Sequence, residues 1–487
     1  MFKDYVYEQS GAKYINKIVL VDEDALEEQI HFSEAFTENG FEVIQYLDEL
    51  EFRIRYEEQI KYSNDKLALI IKRDQYIPYD LLRKMTVYTV SLENLFPRLN
   101  SSEIKSWTSS EYDLLAYTYR SSYDNYQTRQ DTERFKRTQM YAKKNLLLYA
   151  SNTLNSLIEE SKEATNYKTW FDIASKKAQI DCMSLKNDLD LDSSEINRVF
   201  KDYFLSEYGK LSSTLDNDGP VLVSRAMEYM RDHSDKFVIV VMDGMSVFDW
   251  QIIREFFSGC SINESYAYAM IPTVTSVSRQ CLLSNKYPRE LIDPWHQNKE
   301  KQEFIACAKR LGYMDNQIEY QRGYDAKFGS SIRCGSIIIN DIDDMVHGQK
   351  QGRIGMLNDV EIMTKQGKLF GLVQRLLDSG FDVYISADHG NTLRKGIGRL
   401  MGTGVETETK SHCMLVLKDF ADKEGLKEKY GMIEFPKTYL PKEFDYLICD
   451  VGVSFDISGE EVMTHGGISL DECVVPFIQV KAEKNHG

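Results

Sequence analysis

The chain has 487 residues, 42% hydrophobic and 12% aromatic. That is enough to build packed cores and excludes a disordered chain, and one core rarely serves more than about 250 residues, so several domains are expected. Its 59 basic and 76 acidic residues leave a net charge of −17, a surface that repels a polyanion and admits nucleic acid only at a local cationic site.

No stretch approaches the ~18 consecutive apolar residues of a membrane span, and the opening MFKDYVYEQSGAKY lacks the apolar run of a signal peptide. Eight scattered cysteines form no Cys-x-x-Cys pair, which fits a reducing compartment and small core residues rather than a cysteine-bound zinc. A soluble cytoplasmic protein with no membrane partner is expected.

In chain order, residues 1–100 alternate strand and helix signals. INKIVLV (15–21), a helical stretch over 25–37, residues 41–47, KLALIIK (66–72) and a helix over 79–84 read as a small N-terminal α/β domain with a parallel sheet. Asp22-Glu23-Asp24 end the first strand as they would in a phosphate-receiving signalling domain, yet KLALIIK runs into Arg73-Asp74 rather than a phosphoacceptor turn.

Residues 101–232 are polar and tyrosine-rich, with apolar residues three and four apart such as Leu154, Leu157 and Ile158, and read as a helical connector. Asp216-Asn217-Asp218-Gly219-Pro220 is its one strong turn signal. RFKRTQMYAKK (134–144) mixes basic and aromatic residues as a single-strand binder does, but helix surface over buried Phe135 and Tyr141 is the simpler reading.

Residues 233–487 return to α/β alternation. FVIVVM (237–242), SIIIN (336–340), FDVYI (381–385) and 473–480 read as strands, with helical segments such as 359–377 between them: a doubly wound α/β domain. Ligands in such folds gather beyond the carboxyl ends of the strands. Those ends carry Asp243-Gly244, then Asp341-Ile342-Asp343-Asp344-Met345-Val346-His347, then Asp388-His389-Gly390, while Thr464-His465-Gly466-Gly467 precedes the last strand.

Asp343 and His347 stand four apart, so one turn of helix brings both to one face, as two ligands of one metal require. Carboxylate oxygen and imidazole nitrogen are ligand types of zinc, iron and manganese, and zinc suits four-coordination closed by one exogenous oxygen. Pro272-Thr273-Val274-Thr275-Ser276 is hydroxyl-rich, and a threonine hydroxyl needs a metal or base before it acts as a nucleophile.

The ordered set Asp-Gly, Pro-Thr-x-Thr, Asp-x-x-x-His, Ala-Asp-His-Gly, Thr-His-Gly-Gly resembles the alkaline phosphatase superfamily. It is similar most of all to the PglZ proteins, a branch tied to bacterial phage-defence (BREX) systems. Lys17 to Asp22 (KIVLVD), Phe52 to Glu57 (FRIRYE) and Leu95 to Leu99 (LFPRL) also resemble PglZ N-terminal sequence.

The resemblance implies an alkaline-phosphatase-like C-terminal sheet with two divalent ions, zinc in first place and manganese as the other choice. One ion falls to Asp343, His347 and His465, the other to Asp243, Asp388, His389 and the Thr275 oxygen. Thr275 is taken as nucleophile because the family places it at the second Thr of Pro-Thr-x-Thr, although Thr273, Ser276 and Ser278 lie close by, and Asp341 and Asp344 rival Asp343.

The implied reaction is phosphodiester hydrolysis, alongside protein partners of a defence complex; its substrate stays open among DNA, a cyclic or linear oligonucleotide, a nucleotide and a phosphoprotein. A weakly catalytic or non-catalytic scaffold subunit and a phosphomutase, which typically uses a Ser nucleophile and manganese, are the alternatives. No Cys/Ser-x-Pro-x-Arg stands near residue 275, which argues against sulfate esters.

Between 393 and 404, LRKGIGRLMGTG reads as a flexible loop lending Arg394, Lys395 or Arg399 to a phosphate, or simply as a solvated loop. Arg279 and Lys286 have the same two readings. Of the other histidines, His31, His233, His296 and His486 are expected at the surface or in a core, and His412 is a candidate supporting residue.

Overall fold

Aliphatic and β-branched runs form the strands of this protein. A computed structural model describes residues 1–46, 48–120, 124–257, 260–398, 411–418 and 422–482. The chain divides into two compact units, Met1–Ser151 and Asn152–Gly487.

In the first unit, strands β1 (Lys17–Asp22), β2 (Glu42–Gln45), β3 (Leu67–Lys72) and β4 (Thr86–Val90) form a parallel sheet in the order β2-β3-β1-β4. Val19, Leu67, Leu69 and Ile71 cover one face with Phe52 and Ile60 of the helix Glu49–Tyr62. β4 has no counterpart among the expected strands. The helix expected over 25–37 is two short helices, Leu26–Ile30 and Ser33–Glu38, because His31 takes a left-handed φ of 51° that ends the first.

The second unit is built on a mixed six-stranded sheet. β5 (Phe237–Met242), β6 (Cys260–Tyr268), β7 (Ile318–Arg322), β8 (Cys334–Ile339), β9 (Asp382–Ser386) and a C-terminal strand 474–482 lie in the order β6, C-terminal strand, β9, β5, β8, β7. β9, β5, β8 and β7 are mutually parallel, and the C-terminal strand runs antiparallel to β9 and β6. β5 and β8 are buried along their whole length, as the apolar runs of a parallel sheet covered on both faces must be. The edge strands β6 and β7 carry polar, half-buried sequence (CSINESYAY and IEYQR) and are absent from the expected strands for that reason.

Residues 101–232, expected as one connector, are helical but form no body of their own: the division falls inside the helix Lys143–Glu163. The helices Tyr167–Lys186 and Ser194–Glu207 each carry an apolar stripe, and such a stripe has to be buried against something. Phe171 and Phe204 pack on Tyr268 of β6 at ring distances of 5.0 and 6.0 Å, and Lys177 reaches Asp471 at 2.8 Å. These helices therefore belong to the second unit's core.

Candidate metal centres

Because β9, β5 and β8 are parallel neighbours, their carboxyl ends share one edge of the sheet. Asp243-Gly244 follows β5, the helix Asp341–Gly348 follows β8, and Asp388-His389 follows β9. Gly244 turns at φ 74°, a region that favours glycine, and so points its amide at Asp388 Oδ1, 3.2 Å away. His465 comes from the loop after the strand Glu461–Thr464; Gly466 at φ 106° packs against Ser411, where a side chain would collide.

Asp343, His347 and His465 offer ligand atoms within 4.8 Å of one another. The helical spacing sets His347 Nε2 at 3.5 Å from Asp343 Oδ2, and His465 Nε2 lies 3.3 Å from both Asp343 Oδ1 and His347 Nε2. His465 Nδ1 is 2.9 Å from the Thr273 carbonyl, an acceptor only, so Nδ1 carries the proton and Nε2 presents its lone pair to the group. Burial alone would raise the Asp343 carboxyl, but His347 and His465 beside it hold it well below the ordinary carboxylate range. Burial lowers and Asp343 raises the His465 imidazole, and the net shift is upward: the carboxylate favours a cation at that nitrogen, proton or metal alike.

Asp243, Asp388 and His389 form the second group, all buried. Here His389 Nδ1 faces the Gly390 carbonyl at 3.0 Å, which turns Nε2 toward Thr275 Oγ1 at 3.3 Å. Burial and the Asp243 carboxylate push Asp388 above the usual carboxylate range. Burial and the neighbouring His465 push His389 down to about 4, so it is neutral at pH 7. The rings of His389 and His465 stack at 4.2 Å, which puts the two groups side by side.

Both groups fit divalent ions. Asp243 Oδ1, Asp343 Oδ1 and Asp388 Oδ2 are buried and have no hydrogen-bond partner among the described residues. Orphaned buried carboxylate oxygens are costly unless a cation meets them, and they are joined here by three imidazole nitrogens and a hydroxyl, a donor set of the kind zinc and manganese accept.

The other hydroxyls near the site are occupied. Thr273 Oγ1 donates to the Gly467 carbonyl at 2.9 Å and accepts from the Gly466 amide at 3.1 Å, tying the threonine loop to the His465 loop. Ser278 Oγ donates to the Asp388 carbonyl at 2.5 Å and accepts from the Met270 amide at 2.9 Å. Among the four candidates only Thr275 has its hydroxyl against a side-chain ligand atom of a group, His389 Nε2, in the described residues; Ser276 is half-buried. Asp341 accepts from the Tyr324 hydroxyl at 3.0 Å and Asp344 is exposed, so neither joins Asp343.

The cationic candidates need correction. Arg394 is not on a flexible loop: it lies in the strand Thr392–Gly396, fully buried, paired with Glu472 and donating to the Val453 carbonyl at 3.0 Å. Glu472 in turn accepts from the Gly467 amide at 2.8 Å, so this pair supports the His465 loop rather than a phosphate. Lys395 is exposed on the same strand, and Arg399 lies outside the described residues. Arg279 is buried between Asp243 and Glu300, and Lys286 pairs with Glu303 at 2.7 Å.

His412 is half-exposed and bonds Asp456 at 2.8 Å; His31, His233 and His296 are exposed; His486 lies outside the described residues. In the basic segment Phe135 is buried, whereas Tyr141 is 39% exposed with its hydroxyl on Glu111.

Sequence reasoning missed the supporting roles of Thr273, Ser278, Arg279 and Glu472. The signal was partly present: Ser278 and Arg279 stand three and four residues after Thr275, on the same helical face.

The family model for the BREX system PglZ alkaline phosphatase-like domain matches residues 223–480, more than half of the chain. A comparison with curated proteins found no match. Among solved structures, murine ectonucleotide pyrophosphatase/phosphodiesterase 5 is 11% identical with a TM-score of 0.33, covering 50% of this chain and 88% of its own. The human counterpart is 13% identical with a TM-score of 0.33, covering 50% and 87%. Phosphonoacetate hydrolase from Sinorhizobium meliloti 1021 is 11% identical with a TM-score of 0.29, covering 50% and 90%. Likenesses at such scores carry no argument about the chemistry of this chain.

Proposed function

The chain belongs to the PglZ family, with its alkaline phosphatase-like domain at residues 223–480, and on that premise we propose that it hydrolyses phosphodiesters using two divalent ions and Thr275 as nucleophile. The observation that supports this most is the pair of adjoining ligand groups with orphaned carboxylate oxygens, the Thr275 hydroxyl standing at the edge of one of them. Zinc is the first choice of ion and manganese the second. A nucleotide or oligonucleotide substrate, a cytoplasmic BREX-like anti-phage role and protein partners of a defence complex complete the reading, with residues 1–100 as a separate module and the chemistry carried by residues 233–487.

Asp343, His347 and His465 would hold one ion, and Asp243, Asp388 and His389 the other. Bound there, divalent ions supply Lewis-acid polarisation of the phosphoryl oxygens and lower the pKa of a neighbouring hydroxyl. The first turn of the helix Thr275–Ser284 presents the nucleophile, and Ser278 one turn later fastens that helix to the Asp388 loop. Thr273 fixes the approach of the loop from the other side.

Thr275 gives up its hydroxyl proton to solvent as Oγ attacks phosphorus, the bond to the departing alkoxide breaks in line, the alkoxide takes a proton from solvent and leaves as the alcohol, and a threonine-linked phosphodiester remains. Water then cleaves the bond between Thr275 Oγ and phosphorus, restoring the hydroxyl and releasing a phosphomonoester. The net reaction is diester plus water to monoester plus alcohol.

The test is hydrolysis of bis-p-nitrophenyl phosphate against p-nitrophenyl phosphate, with zinc or manganese, by the wild type and Thr275→Ala. Diester cleavage that exceeds monoester cleavage and is lost in Thr275→Ala is expected. No turnover of either ester with any ion bound would overturn the reading in favour of a scaffold.

A further inference from the structure

Arg279 lies one helical turn beyond Thr275 and is only 1% exposed. Its Nη1 donates to Asp243 Oδ2 at 2.5 Å and its Nε donates to Glu300 Oε2 at 2.6 Å. Glu300, itself 2% exposed, is held on its other oxygen by the Tyr320 hydroxyl and by Arg322 Nη2 at 3.3 Å. The guanidinium is therefore clamped between two carboxylates, one of which is anchored to the edge strand β7. Such a fork has little freedom to swing toward a substrate.

The consequence for the second ligand group lies in which oxygens remain free. Arg279 occupies Asp243 Oδ2 and leaves Oδ1 with no hydrogen-bond partner among the described residues, 3.9 Å from His389 Nε2. Asp388 is treated alike by the backbone: its Oδ1 accepts from the amides of Gly244 and His389 at 3.2 and 3.1 Å, and its Oδ2 has no hydrogen-bond partner among the described residues, 3.7 Å from His389 Nε2. Each carboxylate thus has one oxygen bound by the protein and one available. With His389 Nε2 and Thr275 Oγ1, the group offers four donor atoms and no bidentate carboxylate.

We propose that Arg279 is a positioning residue, not a phosphate ligand: it restricts Asp243 to a single coordinating oxygen and so fits the second group to a four-coordinate ion rather than to one that takes six or more oxygens. Ions of the calcium and magnesium kind want that larger, oxygen-only shell, whereas zinc is satisfied by four mixed ligands. The inference rests on the two-ion reading above and refines how one of the two sites selects its ion.

Cobalt(II) is the probe, because its visible absorption is intense in four-coordinate sites and weak in six-coordinate ones. The measurement is made on the full chain in a His347→Ala background, which disables the first group, so that titrated cobalt reports the second. One equivalent with intense visible absorption is expected. Adding Arg279→Met should weaken cobalt binding about 10- to 100-fold, the usual effect of losing a partner that orients a ligand, and should lower the absorptivity of the bound ion severalfold. Arg279→Lys, which keeps a donor for Asp243, should recover part of both.

Arg279→Met also takes the arginine from one oxygen of each of two buried carboxylates, so the variant pairing it with Glu300→Gln is measured alongside and should show the same spectrum as the single change if the single change folds. Unchanged affinity and absorptivity in a folded Arg279→Met or double variant would overturn this inference alone. Failure of the His347→Ala protein and the wild type to take up any cobalt would overturn both this inference and the metal-dependent reading beneath it.

Discussion

The two sheets of this protein end their parallel strands in the same kind of residue and do different things with it. In the first unit β1 closes on Asp22, whose two oxygens accept from the amides of Leu26 and Glu27 at 2.9 and 2.8 Å. Two residues on, Asp24 accepts from the Leu92 amide at 2.7 Å and pairs with Lys105 at 2.7 Å. Both of those acids are absorbed by the fold. In the second unit Asp243, Asp343 and Asp388 keep buried oxygens with no hydrogen-bond partner among the described residues, and three imidazoles stand among them. A carboxylate at the end of a strand is therefore not in itself a site. What marks one is the acceptor the fold leaves unanswered.

That contrast can be broken in several ways, the largest effect first. Thr275→Ala removes the proposed nucleophile and should lower diester hydrolysis on the order of 10³-fold or more, read as the initial rate of bis-p-nitrophenyl phosphate cleavage with bound metal unchanged to within one ion. Asp388→Asn and Asp343→Asn should each cost about one ion per chain by elemental analysis and about 100-fold or more in rate. Chelation should lower the melting temperature of the second unit by several degrees, reversed by added zinc, since an ion held at 100 times its dissociation constant stabilises by about 2.7 kcal/mol. At the small end, Asp22→Ala should leave metal content and hydrolysis untouched and cost about 1 kcal/mol of stability, the ordinary effect of a lost helix cap, read by denaturant melts. A rate loss in Asp22→Ala comparable to that in Asp388→Asn would erase the distinction between the two sheets.

Much of this was legible in the sequence, and for identifiable reasons. Buried parallel strands such as FVIVVM are unbroken apolar runs, and the residues just past them are where acids and histidines at a site are to be sought. The Asp343–His347 spacing translates directly into one helical face. Edge strands do not declare themselves, because β6 and β7 bury only part of their surface and keep polar residues that blur the period-two pattern. The middle helices read correctly as helices, but which body their apolar stripes pack into depends on Tyr268 and Asp471, residues far along the chain that leave no local trace in the helical sequence.

Charge was the least legible property. Arg279 and Arg394 are candidates for a phosphate in the sequence because a sequence shows an arginine and not its partner. In the structure both are buried against carboxylates, Glu300 and Asp243 for one and Glu472 for the other. Ser278 and Thr273, rivals of Thr275 as nucleophile, use their hydroxyls on backbone groups of the loops that carry Asp388 and His465.

The most direct test of the account is the number of divalent ions bound per chain at saturation with zinc, counted by elemental analysis after gel filtration on the wild type and on Asp22→Ala. Two ions per chain in both proteins is the predicted result. A chain that retains none, or whose ions are lost with Asp22 instead of with the acids of the second sheet, would contradict it.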